Sequence, residues 1–359
     1  MLDSELLDLY SDYLISSFGL TTATGLATLL AGSVSHDQVT RFLSEPTATS
    51  AELWQRVKPH VRSLQGEDGV LIIDDSIAEK PYTDENELIC WHYDHIQGCN
   101  VKGINFVSAL YHRHNISLPV GFELVTKTEW YTDPKTQEPK RRSVLSKNDL
   151  YHSLARQAVH NQIPFEFVLN DMWFASAENM RFVKLELRKD FVMPLKANRK
   201  VALSQINQRL GRFVSVETLT LEPDSPVVIY LEGVAFPLSL IKHVYTNADG
   251  SQEVVYLVCS DSTISATRLL ALHQKRWNVE PFHKSLKQNA SLTRSPTQTV
   301  NSQTNHLFAS FCGFIKLELL KRASGLNHFA LRAQLYQQAL QTAFQALRNL
   351  HPKSPHCVR

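Results

Sequence analysis

Apolar positions in the first part of the chain return at helical spacing. Leu6, Leu7, Tyr10 and Leu14 form one such set, and Leu26, Leu29 and Leu30 form another, so residues 1 to about 65 are expected to be helical. Gly32 ends the second helix, and Ser35 opens a third in which Ser35 and Gln38 have the spacing of a capping box. The pattern then changes. Val70 to Ile73 is a short, wholly apolar and β-branched run, as expected for a central strand buried on both faces, and it ends in Asp74, Asp75 and Ser76. Two more strands follow at roughly 104–112 and 118–127, then a helix over 148–161 and a strand over 165–169 that ends in Asp171. Ser176 caps a helix reaching about residue 189, and FVMPLK makes a further strand.

From 201 to 259 the period drops to two, with FVSVETLTL, VVIYLEGVAF, LIKHVY and EVVYLVC, which predicts antiparallel strands. Helical spacing resumes at Ser262 or Thr263. It is interrupted at Asn278, since Pro281 is tolerated only in a first helical turn. The region from about 305 to 350 is helical and apolar, which suits packing or a partner face better than chemistry. The tail HPKSPHCVR is expected to be disordered. These patterns divide the chain into a helical domain over 1–65, an α/β core over 66–200 and 260–300, a β-rich insertion over 201–259 and a C-terminal helical region over 301–350.

Composition narrows the classes. At 43% hydrophobic and 20% charged, the 359 residues suit an ordinary globular chain with a sizeable core. A net charge of +2 does not announce a nucleic-acid binder, so any such role must rest on local basic clusters. Five scattered cysteines with no C-x-x-C pair indicate neither a zinc site nor a disulfide framework. The N-terminus does not resemble a signal peptide, and no apolar run approaches a membrane span, so a cytoplasmic protein is expected.

Chemistry concentrates in HQKRWNVEPFHKSLK, residues 273–287. Arg276, Glu280 and Lys287 recur there at steps of four and seven, which on one helix would set a carboxylate between two cations. A solvated, ion-paired helix face is the plainer reading of such a pattern. The two strand-terminal aspartates change the balance. Asp75 and Asp171 would end two strands able to lie side by side, and Glu280 would join them from a later helix. One member of the Asp74–Asp75 pair is expected only to cap a turn. Three such carboxylates can hold two Mg²⁺ or Mn²⁺ ions, one activating a nucleophile and the other stabilising a leaving oxygen, which is phosphoryl transfer at a phosphodiester.

Local clusters suit a DNA partner. Arg141 and Arg142 lie in a basic stretch, expected to be a loop, beside Trp130 and Tyr131. His36, Gln38 and Arg41 could project from the second helix of a helix-turn-helix, although a plain helical bundle explains those helices equally well.

The order of elements resembles the ribonuclease-H-like fold of DDE transposases. The 273–287 stretch is similar to the Y-x2-R-x3-E-x6-K signature of bacterial insertion-sequence transposases, with Arg276, Glu280 and Lys287 in place and His273 where the family has tyrosine. Asp75-Ser76 stands where that family has Asp-Thr, and Asp171 follows the fourth core strand in LNDMWFAS. The likeness covers about residues 65 to 300. It implies an α/β, ribonuclease-H-like mixed sheet with an antiparallel β-rich insertion and helical regions at both ends. It further implies a transposase that binds the terminal inverted repeats of its element, cuts both strands and joins the 3′-hydroxyls to target DNA.

A homodimer would do this, in a bacterial cytoplasm and on the nucleoid when bound to DNA. His273, Arg276 and Lys287 would contact phosphates, and an aromatic residue of the insertion (Tyr230, Phe236 or Tyr256) would stack a flipped base. Two other classes compete: a DNA-binding protein descended from a transposase that no longer cuts, and a simpler Mg²⁺ nuclease of the same fold. The three acids favour an enzyme over the first. The signature and the insertion favour a transposase over the second.

Overall fold

The chain divides into two compact units, one of Thr49–His283 and one that combines Met1–Ala48 with Lys284–Arg359. The structure, a computed structural model, describes residues 2–64, 66, 68–95, 97–247 and 249–350. The tail expected to be disordered lies outside the described residues. So does Gln65, at the expected first boundary.

In the discontinuous unit, α1 (Ser4–Ser16) starts at Asp3, whose carboxylate accepts from the Glu5 and Leu6 amides. Thr22 caps α2 (Ala23–Leu29). The capping box of Ser35 and Gln38 forms as expected at the start of α3 (His36–Ser44). Between these helices Ala31 (φ 50°) and Gly32 (φ 80°) are both left-handed, which makes the turn short.

The other unit opens with α4 (Ser50–Leu64), which the sequence had suggested would join the N-terminal helices. Four strands follow, β1 (Val70–Glu79), β2 (Ile89–Asp94), β3 (Cys99–Arg113) and β4 (Ile116–Leu124). The amphipathic α4 buries Leu53, Trp54, Val57 and Val61, and the Phe122 amide on β4 donates to Ser50 Oγ at 2.7 Å. Its apolar face therefore belongs to the sheet. The basic stretch expected to be a loop is a separate two-stranded ribbon of β5 (Glu129–Thr132) and β6 (Pro139–Arg142).

Then come α5 (Lys147–His160), β7 (Phe167–Leu169), α6 (Ala177–Arg181, continued by a π-type turn) and β8 (Asp190–Leu195). β1 pairs antiparallel with β3 and parallel with β7, and β7 pairs parallel with β8. With β4 on the far side of β3, the core reads β4-β3-β1-β7-β8, the ribonuclease-H-like order. Leu71, Ile72 and Ile73 at its centre are fully buried, as their apolar run predicts.

The expected insertion is β-rich, with β9 (Lys200–Ala202), the short α7 (Gln205–Arg209), β10 (Val214–Ser215), β11 (Val227–Leu231), β12 (Leu238–Thr246) and β13 (Gln252–Cys259). It does not form a sheet of its own. β13 pairs antiparallel with β8, so the insertion extends the core into one mixed sheet of eleven strands.

Two helices, α8 (Ala266–Arg276) and α9 (Val279–Gln288), carry the charged stretch. The last two are α10 (Val300–Ser324) and α11 (His328–Leu350). α10 packs on α1 and α3, which joins the N- and C-terminal helices in one unit rather than two domains. Among the described residues no helix is long and apolar enough to cross a membrane.

Candidate active site on the central strand

Strand alternation sends the side chains of Asp74 and Asp75 to opposite faces of the sheet. Neither ends its strand, because β1 stays paired with β3 as far as Glu79. The parallel pairing with β7 stops earlier, at Ile72 opposite Leu169. Asp74 and Asp171 each lie two residues beyond that last pair, so they emerge on the same face where the two strands part.

Asp74 is opposite Ser108 on β3, whose hydroxyl lies 3.3 Å from His283 Nε2. The His283 ring also meets Phe106 edge-on at 5.8 Å. Phe106 and Ser108 share Asp74's face, and His283 is one turn beyond Glu280 on α9. The helix that carries Glu280 therefore covers the face of Asp74. Asp75 points the other way. Its carboxylate is 2.7 Å from Lys147 Nζ at the start of α5 and accepts from Asn105 Nδ2 at 3.2 Å. The sequence pattern points to Asp75 for chemistry and to a capping role for its neighbour, whereas in the structure Asp74 is the member of the pair that shares a face with Asp171 and α9.

The electrostatics agree with this placement. Burial holds the Asp74 carboxyl well above the usual carboxylate range, and the charges of Asp171 and Asp75 push it further; the Asp75 amide and Arg276 pull it down less. Asp171 is also raised, mainly by burial and next by Asp75, against the Phe174 amide, Arg276 and the Trp173 amide. Its Oδ1 accepts from those two amides at 3.1 Å (Trp173) and 3.2 Å (Phe174), which fixes the turn after β7.

The charged stretch is not one helix. α8 ends at Arg276, and α9 restarts at Val279, with Asn278 Nδ2 donating to the Lys275 carbonyl at 2.8 Å across the break. Pro281 then falls in the first turn of α9, where its missing amide is harmless. The largely buried Arg276 guanidinium lies over the Trp277 ring at 5.2 Å and 3.8 Å from Glu280 Oε1. Its charge also acts on both Asp74 and Asp171. One guanidinium thus lies beside Glu280 and acts through its charge on Asp74 and Asp171. Glu280 itself is exposed, and Lys287 falls in the last turn of α9.

Among the described residues, no three His, Cys, Asp or Glu side chains stand together as a metal cluster. The donor chemistry of the site nonetheless fits a divalent cation at Asp74 and Asp171. Two carboxyls on one face, each raised by burial and by neighbouring acids, would regain their charged forms beside a cation, a compensation that Arg276 and the nearby amides supply only in part.

Several expected DNA contacts are placed differently. His273 is 4% exposed, and its Nδ1 lies 3.4 Å from the Tyr245 hydroxyl of β12. Burial, aided by the charges of Arg276 and His243, holds its pKa down at about 4, so the ring is a neutral packed group and not a phosphate contact. Apolar packing of α8 onto the sheet takes it inside, along with Leu269 and Leu272. Arg141 stacks over Trp130 at 4.4 Å, and Arg142 bridges to Glu129 at 3.0 Å and lies over Tyr131 at 5.7 Å.

Gln38 and Arg41 are exposed, with the Gln38 carbonyl committed to the Ser35 amide at 2.8 Å. Tyr230, Phe236 and Tyr256 are half-buried. Sequence reasoning passed over Trp173, an exposed indole two residues after Asp171 with Lys147 Nζ 5.3 Å from its ring centre. The signal was present as adjacent Met172 and Trp173 in the short link between Asp171 and the Ser176 cap.

Comparison with known proteins supplies the family. The model of the DDE superfamily endonucleases matches residues 4–211, and that of the transposase DDE domain matches residues 144–313. No curated protein matches the chain in sequence. Among solved structures, the Drosophila P element transposase strand transfer complex is similar over 98% of this chain and 87% of that one. The identity is 8% and the TM-score 0.29, too low to carry any weight.

Proposed function

The chain belongs to the DDE superfamily endonucleases, of DDE transposase type, and from that premise we propose a metal-dependent enzyme that cuts and joins DNA at the ends of its own element. On this reading a homodimer binds terminal inverted repeats, hydrolyses the strands at each end and transfers the 3′-hydroxyls to target DNA. The observation that carries it is the face shared by Asp74 and Asp171, covered by the Glu280 helix, with Arg276 acting on all three carboxylates. We assign the first metal-holding carboxylate to Asp74, the second to Asp171 and the third to Glu280.

Divalent ions, Mg²⁺ or Mn²⁺, would supply an activated oxygen nucleophile and charge stabilisation for the leaving oxygen. The chain's own residues do the rest. Asp74 and Asp171, fixed by strand pairing and by the amides of Trp173 and Phe174, present acceptor oxygens from a rigid floor. Arg276 meets a non-bridging phosphate oxygen, for which a guanidinium is well shaped. Lys287, Arg141, Arg142 and Arg41 add backbone contacts that position the duplex without reading it.

The test is cleavage of DNA taken from both flanks of the gene, with Mn²⁺ or Mg²⁺ present. Nicks at matched inverted repeats are expected from the native protein. Glu280→Gln should lose cleavage by about 10³-fold, since one acid contributes several kcal/mol, while still binding the same DNA. Cleavage that survives in Glu280→Gln would defeat the assignment, and binding without any cleavage by the native protein would favour the non-cutting descendant.

A further inference from the structure

α10 and α11 are both long and apolar, yet they end up in different surroundings. α10 is buried along most of its length, while in α11 every residue from Ala333 to Leu350 is exposed. That exposed run is not polar. Tyr336, Leu340, Phe344, Leu347 and Leu350 are each between 50% and 80% exposed, although one side of the Tyr336 ring rests on Phe18 of the same chain at 5.0 Å. Hydrophobic residues left in water along a single helix mark a surface that another element covers.

The spacing identifies the kind of element. Ala333, Tyr336, Leu340, Ala343, Leu347 and Leu350 follow steps of 3, 4, 3, 4 and 3. That is a heptad seam with Ala333, Leu340 and Leu347 at a, Tyr336, Ala343 and Leu350 at d, and Phe344 widening it at e. Seventeen residue steps carry it about 26 Å. A period of 3.5 calls for a second helix crossing at a shallow angle.

The order of sizes identifies the partner. If a second copy lies antiparallel, with the two-fold axis between Leu340 and Ala343, each a position faces a d position of its mate. Leu340 then meets Ala343, Tyr336 meets Leu347 and Ala333 meets Leu350, so no alanine faces an alanine. A parallel pair would set Ala343 on Ala343 and Tyr336 on Tyr336, leaving one layer hollow and the next crowded. Cores fill best when large and small residues oppose each other.

Charge raises no objection to self-pairing. The flanking positions carry Ala330, Gln337, Ala339 and Ala346, and the one charge beside them, Arg332, is bonded inward to the carbonyls of Ser17 and Gln288. We infer that α11 joins two copies of this chain as an antiparallel helix pair, an isologous contact in which each copy offers the same seam. The inference gives a surface to the homodimer of the reading above and rests on that part of it alone.

Its test needs neither DNA nor metal, so its failure and that of the catalytic assignment are distinguishable. Light scattering on the full chain at micromolar concentration should give twice the 40.8 kDa of one copy. Leu340→Glu combined with Leu347→Glu should halve that mass without changing circular dichroism, because both side chains are exposed in the single chain. A monomeric native protein, or a double variant that stays dimeric, overturns the proposal. Register is read by disulfide formation in a Cys99→Ser, Cys357→Ser background. Chains carrying Leu340→Cys mixed with chains carrying Ala343→Cys should cross-link at least tenfold faster than Ala343→Cys alone. Faster pairing by Ala343→Cys alone would establish the parallel arrangement and overturn the antiparallel one.

Discussion

The two faces of β1 hold neighbouring aspartates in opposite electrostatic conditions. On one face Asp75 is compensated, with Lys147 at 2.7 Å and Asn105 donating at 3.2 Å. On the other, Asp74 stands with Asp171, both carboxyls raised by burial and by nearby acids, and Arg276 is the cation that acts on them. Burial and the charges of Arg276 and His243 also hold His273 neutral. A compensated charge in a protein is finished; an uncompensated pair keeps affinity for a cation and stores that affinity at the expense of local stability. The difference between the faces, not the presence of acids, separates a structural carboxylate from one available to chemistry.

The largest effect that could break this comparison is on DNA cleavage. Asp74→Asn should reduce cleavage of end DNA by about 10³-fold or more, the scale of losing a group that stabilises the reacting charges by several kcal/mol. Asp75→Asn should stay within about tenfold of the native rate, since it presents no oxygen on the face of Asp74 and disturbs the site only through Lys147, Trp173 and the loss of a charge that raises Asp74 and Asp171. Single-turnover cleavage in Mn²⁺, with DNA affinity measured separately, decides between them. The reverse ranking would return the first acid to Asp75.

Much of this site was legible in the sequence, and the remainder failed for definable reasons. The apolar run before the aspartates, the capping box at Ser35, the break at Asn278 and the strand leading to Asp171 are local patterns, and the folded chain contains each of them. The choice between Asp74 and Asp75 was not local. It depends on which face α9 covers, and that is fixed by Ser108 and Phe106 on another strand. The insertion reads as antiparallel from its alternation, but its union with the core rests on β13 meeting β8, about sixty residues apart in sequence. Likewise nothing in the amphipathic pattern of α4 says whether its partner is a helix or a sheet. His273 sits on the apolar stripe of α8, so its burial follows once that stripe is known to pack.

A smaller effect sharpens the contrast through acid. His273 has an ordinary value near 6.5 in the unfolded chain and about 4 when folded, because burial and the charges of Arg276 and His243 disfavour the imidazolium. The folded value is the lower, so the unfolded chain binds the extra proton. Stability from this group is complete above about pH 6.5, declines as pH falls and levels off below about pH 4, for a total of up to about 3 kcal/mol. His92, held at about 3 by burial and by Lys127 and Lys147, adds to the same acid loss. Denaturant midpoints across that range should fall for the native protein and fall less for His273→Tyr. Parallel curves for the two proteins would mean that the ring is solvated when folded.

The smallest expected effect concerns the compensated face. The Asp75–Lys147 pair keeps only 20% and 22% of its side-chain surface, so it lies between exposed pairs worth under about 1 kcal/mol and buried ones whose breakage costs about 3–5 kcal/mol. Removing one partner leaves the other charge half-buried. Lys147→Met should therefore destabilise by roughly 1–2 kcal/mol, in between those limits. It also removes the ammonium over Trp173, a contact worth about 0.5–1 kcal/mol at a partly exposed site. Asp75→Asn should be milder, because an amide oxygen can still accept from Asn105 and from the Lys147 ammonium that it leaves without a counter-charge. If the pair is the reason for the loss, the double variant Asp75→Asn, Lys147→Met is less destabilised than the sum of the two single ones, by about 0.5–1 kcal/mol. The corresponding cycle with Asp74→Asn in place of Asp75→Asn should be additive, since Asp74 faces away from Lys147. Coupling of Lys147 to Asp74 as strong as to Asp75 would erase the distinction between the two faces.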